Sequence, residues 1–386
     1  MKTSTDRILT SHVGSLPRSQ EVVDFLFAQD RGESFDQAAF DAAMQRGVDE
    51  VVSKQAAAGV DVVSDGETSK ISYATYIRHR LTGFEGDSPR PTPQDLDDFP
   101  AFRDRLVAEG ASAKYLRPVC KGEITVKDDA PLVKDIARMK AALAKVNATE
   151  GFMTAVSPGT IAVFQPNEYY KSHELYMEAL ANAMRDEYEK IVASGILLQL
   201  DCPDLAMGRH SRFKNLSEEE FLRHANVQVD ALNHALANVP SDRVRLHICW
   251  GNYEGPHTHD IPLTKVLPLL FRAKPQALLI EGGNPRHDHE WETWKTHRLP
   301  EDKILVPGVI DTSTNFVEHP ELVAQRIARY ANLIGRERII AGTDCGLGTF
   351  AGFGPVHPQI AWAKLQTLAE GAAIATKQLW GKPVAV

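Results

Sequence analysis

Eight short apolar runs alternate with long amphipathic segments, and this alternation constrains the fold most strongly. The runs have the length of β-strands and cover residues 8–16, 60–65, 152–156, 196–201, 244–250, 277–281, 304–311 and 339–344. Helical periodicity fills much of the sequence between them, including residues 35–58, 174–193, 217–236 and 320–334. Strand–helix alternation on this scale predicts a parallel sheet. Eight repeats favour a single (β/α)8 TIM barrel over a doubly wound sheet, since no G-x-G-x-x-G follows the first run.

One stretch interrupts this pattern. Residues 83–100 are rich in Pro, Asp, Ser and Gly and show no clear period, and the helix-like residues 101–111 follow them. We therefore expect an insertion around residues 83–111. A ninth apolar run at residues 115–124 is a weaker strand candidate because Pro118 interrupts it. No linker is evident, so we expect one domain over residues 1–386.

Charge and hydropathy exclude several classes of protein. The formal net charge is −8 and no run of five basic residues occurs, which argues against nucleic-acid binding. The longest apolar stretches are too short to span a bilayer, and the N-terminus lacks an apolar signal core. We expect a soluble cytoplasmic protein with no nucleic-acid or membrane partner. Four scattered cysteines indicate metal binding, chemistry or core packing rather than a disulfide framework.

Nearly every apolar run ends in polar or reactive residues. These endings lie at residues 12–15, 65–67, 157–159, 201–204, 247–249, 281–284, 311–314 and 344–346. In a β/α barrel, the carboxyl ends of the strands carry the active site. Ordinary loop starts and helix caps explain part of the pattern, but they explain the cysteines and the histidine less readily. The sequence therefore predicts one shared site.

A set of metal-ligand types stands at three of these endings. His247 and Cys249 are two residues apart on a predicted strand, so their side chains point to the same face. Glu281 ends the next run and Cys345 ends the last one. One imidazole, two thiols and a carboxylate suit Zn²⁺, and ligands spread over several strands indicate a site built around a substrate. The alternative is a packed cysteine beside a hydrogen-bonded histidine.

Seven segments along the chain together resemble those of a known family. They are HVGSLPR (12–18), DGE (65–67), QLDCPDLA (199–206), HIC (247–249), IEGGN (280–284), GVIDTST (308–314) and TDCGLGT (343–349). In these segments the chain, from residue 8 to about 377, resembles the C-terminal catalytic barrel of cobalamin-independent methionine synthase. It is also similar to the broader family of zinc-dependent thiol alkyltransferases, which includes epoxyalkane:coenzyme M transferase.

The resemblance implies a zinc cofactor held by His247, Cys249, Glu281 and Cys345. The substrate thiol would replace or join Glu281, the weakest ligand. Zinc favours the thiolate, which is the nucleophile in alkyl transfer. The implied reaction is methyl transfer to a thiol such as homocysteine, giving a thioether such as methionine. This is the activity of a 5-methyltetrahydropteroyltriglutamate–homocysteine methyltransferase.

The resemblance also implies a binding site for the thiol substrate. Glu67 and Asp201 match the family's carboxylates for the ammonium group of homocysteine, and carboxylates suit an ammonium. The backbone at Gly14 and Ser15 matches the place that binds the substrate carboxylate. The alternative interpretation of Glu67 is a helix-capping or loop acid, and that of Asp201 is a cap at the start of a helix.

The side of the alkyl donor departs from the family. Folate-dependent members carry a Trp that stacks on the pterin and a His proposed to protonate the folate, where this chain has Phe164 and Ser313. A serine cannot replace imidazole as an acid near neutral pH. The candidate catalytic residues are then His12, Asp311 and Ser313. A folate, a corrinoid, a sulfonium or another small electrophile remains open as the donor.

Further residues and functions remain open. Epoxide opening by coenzyme M is the alternative reaction, and a zinc-stabilised barrel without catalysis is a third. Tyr73, Tyr76 and Arg78 are candidates for the donor side. The cations to test against a sulfonate are Arg18, Lys70 and Arg117. Histidines that form either a second metal site or a lid are His257, His259, His287 and His289.

Overall fold

A barrel of eight parallel strands forms the centre of the molecule. The computed structural model describes residues 1–108 and 114–381. The barrel strands are β1 (Leu9–Thr10), β2 (Val62–Ser64), β3 (Glu150–Val156), β4 (Leu197–Asp201), β5 (Val244–His247), β6 (Ala277–Ile280), β7 (Ile304–Ile310) and β8 (Ile340–Thr343). Successive strands from β2 to β8 pair in parallel, and β8 pairs with β1. The predicted (β/α)8 barrel is confirmed.

Helices surround the barrel. They are α1 (Gln20–Asp30), α2 (Gln37–Ala57), α3 (Gln94–Asp98), α4 (Pro100–Ala108), α5 (Ala130–Leu143), α6 (Pro158–Phe164), α7 (His173–Ala193), α8 (Glu218–Ala235), α9 (Leu263–Arg272), α10 (Pro320–Ile334) and α11 (Pro358–Trp380). Short 3₁₀ turns lie at Thr75–His79, Pro203–Leu205, Met207–Arg209, Ser241–Arg243, Asp288–Lys295 and Arg336–Arg338. Within the described ranges, no helix combines the length and apolar composition needed to cross a membrane.

Local capping explains where the predicted helices begin. The Asp36 carboxylate accepts the backbone N–H groups of Ala38 and Ala39 at the start of α2. Ser217 and Glu220 form a reciprocal capping box at the start of α8. Such side chains satisfy N–H groups that have no partner inside the helix. The observed α2, α7, α8 and α10 match the four predicted segments to within a few residues.

The predicted strands are too long at their carboxyl ends. The run predicted at residues 8–16 is a strand only over Leu9–Thr10, and the run at 244–250 ends as a strand at His247. The chain bends out of the sheet there, and the polar endings lie on loops. An apolar pattern does not mark this bend, because the loop residues are as deeply buried as the strand.

The predicted insertion is confirmed and extends further than expected. An antiparallel pair, Phe84–Glu85 with Val119–Cys120, closes it, and α3 and α4 lie between these two strands. The ninth apolar run supplies the second strand of this pair and no barrel strand. Residues 109–111 of the predicted helical segment lie outside the described residues. Asp95 of α3 accepts the Tyr253 hydroxyl at 2.6 Å, so the insertion packs on the loop after β5.

A side chain joins β1 to β2. Backbone pairing between these two strands is absent from the described ladders. The Asp61 carboxylate instead accepts hydrogen bonds from the backbone N–H of Thr10 at 2.8 Å and from both terminal guanidinium nitrogens of Arg7 at 2.7 and 2.6 Å. The Asp61 side chain is 13% exposed, so these bonds are partly shielded from water. Asp61 therefore closes the barrel at this seam.

A buried arginine forms the floor below the strand ends. Arg245 of β5 donates to Ser11 Oγ and to the His12 carbonyl, both at 2.8 Å, and its guanidinium lies 4.0 Å from the ring centroid of Phe152. Arg245 and His247 are two residues apart on β5, so they share the inner face of the strand. Arg245 thereby fixes the end of β1 beneath His247.

Replacement of Asp61 tests the closure of the barrel. We expect Asp61→Ala to lower the free energy of unfolding by about 2 kcal/mol, because charged hydrogen bonds across the seam are lost. Glu50→Ala, which removes an exposed pair with Lys54 on α2, is the control and should change it by less than about 0.5 kcal/mol. Urea unfolding measures both. Equal effects of the two variants would contradict the role of Asp61.

Candidate metal centre and neighbouring acids

Three predicted ligands come together at the carboxyl ends of β5 and β8. One ligand atom from each of His247, Cys249 and Cys345 lies within 4.8 Å of the other two. His247 is the last residue of β5, and Cys345 lies two residues beyond β8. In the part of the chain that the structure describes, this is the one group of three His, Cys, Asp or Glu residues whose ligand atoms all lie within 4.8 Å of one another.

The imidazole of His247 is suited to bind a metal ion. It is 2% exposed, and across residues 1–108 and 114–381 neither ring nitrogen has a well-aligned hydrogen-bond partner. An unsatisfied buried polar group costs about 1–3 kcal/mol, so a ligand at this position would stabilise the fold. Burial lowers the pKa of His247 and favours the neutral imidazole, which is the form that binds metals.

The two thiols interact with each other. A hydrogen bond with Cys345 lowers the pKa of the Cys249 thiol, and the same contact, together with burial, raises the pKa of Cys345 well above its ordinary value. Once Cys249 is ionised, the thiol of Cys345 therefore resists losing its proton unless a cation is present. One neutral imidazole and two sulfur atoms form a donor set that fits Zn²⁺.

Glu281 lies beside this group but is not part of it. Its Oε1 accepts the backbone N–H of Trp250 at 3.0 Å, and its Oε2 accepts the side-chain amide of Asn284 at 2.9 Å. Burial raises the pKa of Glu281 well above its ordinary value, and the nearby Cys249 raises it further. The role of Glu281 as a fourth ligand stays a prediction.

Asp344 positions the loops that carry Glu281 and Cys345. Its Oδ1 accepts the backbone N–H groups of Gly282 and Gly283 at 2.8 and 2.7 Å, which holds the loop after β6 against the end of β8. Burial raises the pKa of Asp344 to about 6. Sequence analysis assigned this residue no role, although its position directly before Cys345 was visible in the DCG segment.

Glu67 is buried, and its Oε2 lies 3.9 Å from Arg18 Nη2, beyond hydrogen-bond distance. Its backbone has a φ of +55°, a left-handed conformation that costs a non-glycine residue about 1 kcal/mol. Arg18 holds this conformation by donating to the Glu67 carbonyl at 2.7 Å. Oε2 of Glu67 has no hydrogen-bond partner among the described residues. Burial raises the pKa of this carboxyl group.

Asp201 ends β4 close to both Glu67 and the metal-ligand group. Burial and then the charge of Glu67 raise its pKa to about 7, while His247 acts in the opposite direction. Gln199 Nε2 donates to Asp201 Oδ1 at 3.1 Å, and Gln199 Oε1 finds no partner in the described chain. The structure therefore brings Glu67 and Asp201 together beside His247.

The Gly14–Ser15 backbone runs between Glu67 and the loop after β8. A Cβ atom at Gly14 would lie 3.1 Å from Glu67 Oε1, and Gly14 has a φ of +145°. The Ser15 carbonyl accepts the N–H of Leu347, two residues beyond Cys345, at 2.9 Å. All four predicted substrate-binding residues thus lie at the carboxyl ends of β1, β2 and β4, on the same face of the barrel as the metal ligands at the ends of β5 and β8.

Both ring nitrogens of His12 are engaged within the protein. Its Nδ1 accepts the backbone N–H of Gly14 at 3.2 Å, so the ring proton is on Nε2, which lies 2.6 Å from Gln55 Oε1. Burial lowers the pKa of His12 to about 3, and the ring stays neutral. His12 thereby fixes the Gly14 backbone, and its catalytic role stays a prediction. The sequence did not reveal Gln55 as its partner.

The predicted catalytic residues Asp311 and Ser313 bind each other. The backbone N–H and hydroxyl of Ser313 donate to Asp311 Oδ1 at 2.9 and 2.7 Å, and the Thr314 hydroxyl donates to Asp311 Oδ2. The three residues form a compact turn after β7. The Ser313 proton is thereby already engaged, and the catalytic roles of Asp311 and Ser313 stay predictions.

Of the three residues predicted for the donor side, the structure brings one to the metal ligands. The Tyr76 hydroxyl donates to Glu187 at 2.6 Å, and Arg78 pairs with Asp30 at 3.2 Å. Both therefore form contacts within the protein away from the site. Tyr73 alone of the three is close enough to the cysteines for an electrostatic interaction.

Tyr73 belongs to an aromatic cluster. Its ring stacks on Phe350 with centroids 5.6 Å apart and meets Phe164 edge to face at 5.4 Å. Burial and the charges of Cys249 and Cys345 raise the Tyr73 pKa well above its ordinary value. Phe164, which stands in the segment where folate-dependent relatives carry Trp, is thus part of this cluster.

The three cations considered for a sulfonate all donate to protein groups. Arg18 binds the Glu67 carbonyl at 2.7 Å, Lys70 binds Thr154 Oγ1 at 3.0 Å, and Arg117 binds the Val163 carbonyl at 2.9 Å. Binding an anion would require these contacts to be broken or shared.

The loop histidines converge on Asp260. Asp260 Oδ2 lies 3.0 Å from both His257 Nδ1 and His287 Nε2, and Oδ1 lies 3.0 Å from His210 Nδ1. Burial alone would lower the pKa values of His257 and His287, but Asp260 raises that of His257 to about 9 and that of His287 to about 10. His259 pairs with Asp98 and His289 is exposed. The cluster is a network of ion pairs, and sequence analysis missed its centre.

Loss of either thiol should abolish metal binding. We expect wild-type protein to bind about one Zn²⁺ or Co²⁺ per chain, and Cys249→Ala and Cys345→Ala to lose it, because two of three close ligands are sulfur atoms. Cys120→Ala, which removes a buried thiol in the insertion, is the matched control. Elemental analysis and the thiolate–Co²⁺ absorption band report occupancy. Full occupancy in either site variant would contradict this assignment.

The Asp260 network should make stability depend on pH. His257 and His287 have raised pKa values, so their contribution is complete below the unfolded value near 6.5 and disappears as pH rises through about 9–10. We expect Asp260→Asn to destabilise the protein by about 3 kcal/mol at pH 6.5 and by clearly less at pH 10. Urea unfolding across this range, with chelator present, measures the difference. A pH-independent difference would exclude the charged imidazoles.

The chain is similar to known proteins over most of its length. The family model for the catalytic domain of cobalamin-independent synthase matches residues 112–353. The methionine synthase of Saccharolobus solfataricus is 26% identical to this chain, and the alignment covers 98% of this chain and 97% of the relative. The methionine synthase of Sulfurisphaera tokodaii is 25% identical, and the alignment covers 97% of this chain and 94% of the relative. In fold, the chain is similar to the B12-independent methionine synthase from Shewanella sp. W3-18-1 in complex with selenomethionine (TM-score 0.73, 19% identity, 97% and 100% coverage). The chain therefore belongs to the cobalamin-independent synthase catalytic-domain family.

Proposed function

We propose that this protein catalyses the zinc-dependent transfer of a methyl group to homocysteine, giving methionine. The observation that carries the proposal is the close group of buried His247, buried Cys249 and half-buried Cys345 beside two buried acids, Glu67 and Asp201. Relatives named methionine synthase match nearly the whole chain, which supports the same reaction. We further propose that residues 1–386 act as one catalytic barrel.

In this proposal His247, Cys249 and Cys345 would hold zinc together with Glu281, the ligand that the substrate thiol would replace or join. Zinc supplies the positive charge that keeps a substrate thiol ionised at neutral pH. Trp250 and Asn284 hold the Glu281 carboxylate through one hydrogen bond to each oxygen. A carboxylate satisfied in this way can leave the ligand set without becoming an unpaired buried charge.

Glu67 and Asp201 bind the ammonium group of homocysteine. Burial raises the pKa of both carboxyl groups, and the charge of Glu67 raises that of Asp201 further. A cation between them relieves this cost and favours their ionised forms. Glu67 Oε2, which lies 3.9 Å from Arg18 Nη2, and Gln199 Oε1 accept no hydrogen bond among the described residues and can accept its N–H groups. The substrate carboxylate binds at the Gly14–Ser15 backbone.

The same features favour homocysteine over coenzyme M. A sulfonate requires cations, and Arg18, Lys70 and Arg117 donate to protein carbonyl or hydroxyl groups. Epoxide opening also requires a proton for the alkoxide, whereas the His12 proton lies against Gln55. Two acids beside the thiol site fit an amino acid better than a sulfonate.

Proton release distinguishes the possible acceptors. We expect homocysteine to release about one proton per zinc at neutral pH, because a thiol near pKa 8.5 becomes a thiolate. Coenzyme M should release much less at the same concentration. Titration of weakly buffered zinc protein in a pH indicator measures both. Release with coenzyme M alone would favour the epoxide reaction, and release with neither would favour a zinc-stabilised barrel without catalysis.

Removal of either acid should impair recognition of the amino group. We expect Glu67→Gln and Asp201→Asn to weaken homocysteine binding about 10- to 100-fold, as loss of a charged hydrogen bond does. Binding of 4-mercaptobutyrate, which has no amino group, should change far less, and zinc content should stay the same. The exposed variant Glu33→Gln is the control. Proton-release titrations give the affinities, and equal losses for the two thiols would contradict ammonium recognition.

A further inference from the structure

We propose that Asn252 is a positioning residue of the metal centre. Its side-chain amide ties the loop that carries Cys249 to the loop that carries Cys345, and it thereby sets the separation of the two sulfur atoms before a metal ion binds. The proposal rests on the proposed function, because it concerns the same zinc site, and it adds a residue that lies outside the ligand set.

The two cysteines need such a link because the sheet does not provide one. Cys249 lies two residues beyond the end of β5, and Cys345 lies two residues beyond the end of β8. In the barrel, β6 and β7 lie between these two strands. Both thiols are therefore carried by loops, and the pairing of neighbouring strands does not fix the distance between them.

Asn252 joins the two loops directly. It lies three residues beyond Cys249, and its Nδ2 donates to the Gly346 carbonyl at 2.8 Å and to Thr349 Oγ1 at 2.7 Å. Gly346 directly follows Cys345. A primary amide has two N–H groups, one for each of these acceptors. One side chain therefore fixes the peptide after Cys345 relative to the loop after β5.

The same amide also contacts the loop after β7. Its Oδ1 accepts the hydroxyl of Thr312 at 2.9 Å, and Thr312 is 1% exposed. Asn252 thus contacts two loops besides its own, and its amide is held through both the nitrogen and the oxygen. An ionised aspartate has the same shape but no N–H group, so it cannot donate to the Gly346 carbonyl.

Ser15 holds the same peptide from another loop. A Cβ atom at Gly346 would collide with Ser15 Oγ, so Gly346 packs closely against the loop after β1. This contact connects the Cys345 loop to β1, whereas Asn252 connects it to the loop of Cys249. Loss of the Asn252 amide therefore frees the distance between the thiols without removing the packing of the Cys345 loop.

The zinc affinity of Asn252 variants tests the proposal. We expect Asn252→Asp and Asn252→Ala to bind Zn²⁺ about 10- to 100-fold more weakly than wild type at neutral pH, as loss of an outer-shell contact does. The aspartate adds a negative charge near a cation, which alone would strengthen binding, so weaker binding reports the lost N–H donors. Asn167→Asp, which alters the hydrogen bonds of a half-buried amide in the loop after α6, is the matched control and should leave the affinity unchanged. Competition with a chromophoric chelator measures the affinities.

Two further measurements separate positioning from folding. Urea unfolding of the metal-free variants in chelator shows whether they fold. The thiolate–Co²⁺ absorption band at saturating Co²⁺ shows whether both thiols still reach one ion. We expect the Asn252 variants to be folded and to have a weaker band per bound Co²⁺ than wild type and Asn167→Asp.

The outcomes distinguish this proposal from the proposed function. Wild-type zinc affinity and a wild-type cobalt band in Asn252→Asp would overturn the role of Asn252 and leave the zinc site as proposed. Metal-free variants that are already unfolded without urea would assign Asn252 a role in folding and would also overturn its positioning role. Wild-type protein that binds no zinc would overturn the zinc site itself, and with it the proposed function.

Discussion

The structure depends on one imidazole and two thiols that meet at the ends of two parallel strands. Across residues 1–108 and 114–381, neither ring nitrogen of the buried His247 has a well-aligned partner, and the sulfur atoms of Cys249 and Cys345 lie within 4.8 Å of each other. Such an arrangement costs free energy unless a cation is bound. The parallel barrel brings the three side chains together, because the carboxyl ends of all its strands lie on one face. The remaining features of the site serve to hold these three groups close together.

Two buried aspartates maintain that arrangement through the loops. Asp344 binds the backbone of the loop after β6, and Asp260 joins imidazoles from the loops after β4, β5 and β6. Loops of an α/β barrel are otherwise its most variable segments. Fixing them through charged hydrogen bonds gives the metal ligands the precision that a rigid strand alone cannot supply. It also couples the site to the insertion, since Asp95 binds the same loop after β5.

Sequence reasoning was most reliable where a residue acts through its place in a periodic pattern. The spacing of His247 and Cys249 and the strand-end position of Cys345 were sufficient to predict that they meet. It was least reliable where a side chain acts through a partner far away along the chain. The partnership of His12 with Gln55 and the convergence of three imidazoles on Asp260 depend on three-dimensional contacts that no local pattern records. The strand ends were misplaced because the loop residues beyond them are as deeply buried as the strands.

The central claim is that the thiol of the acceptor binds at the His247, Cys249 and Cys345 group. X-ray absorption at the zinc edge counts the sulfur atoms around the metal directly. The account predicts two sulfur neighbours in the zinc protein alone and three after homocysteine is added, with the third lost in Glu67→Gln at the same concentration. A sulfur count that stays at two with saturating homocysteine would contradict it.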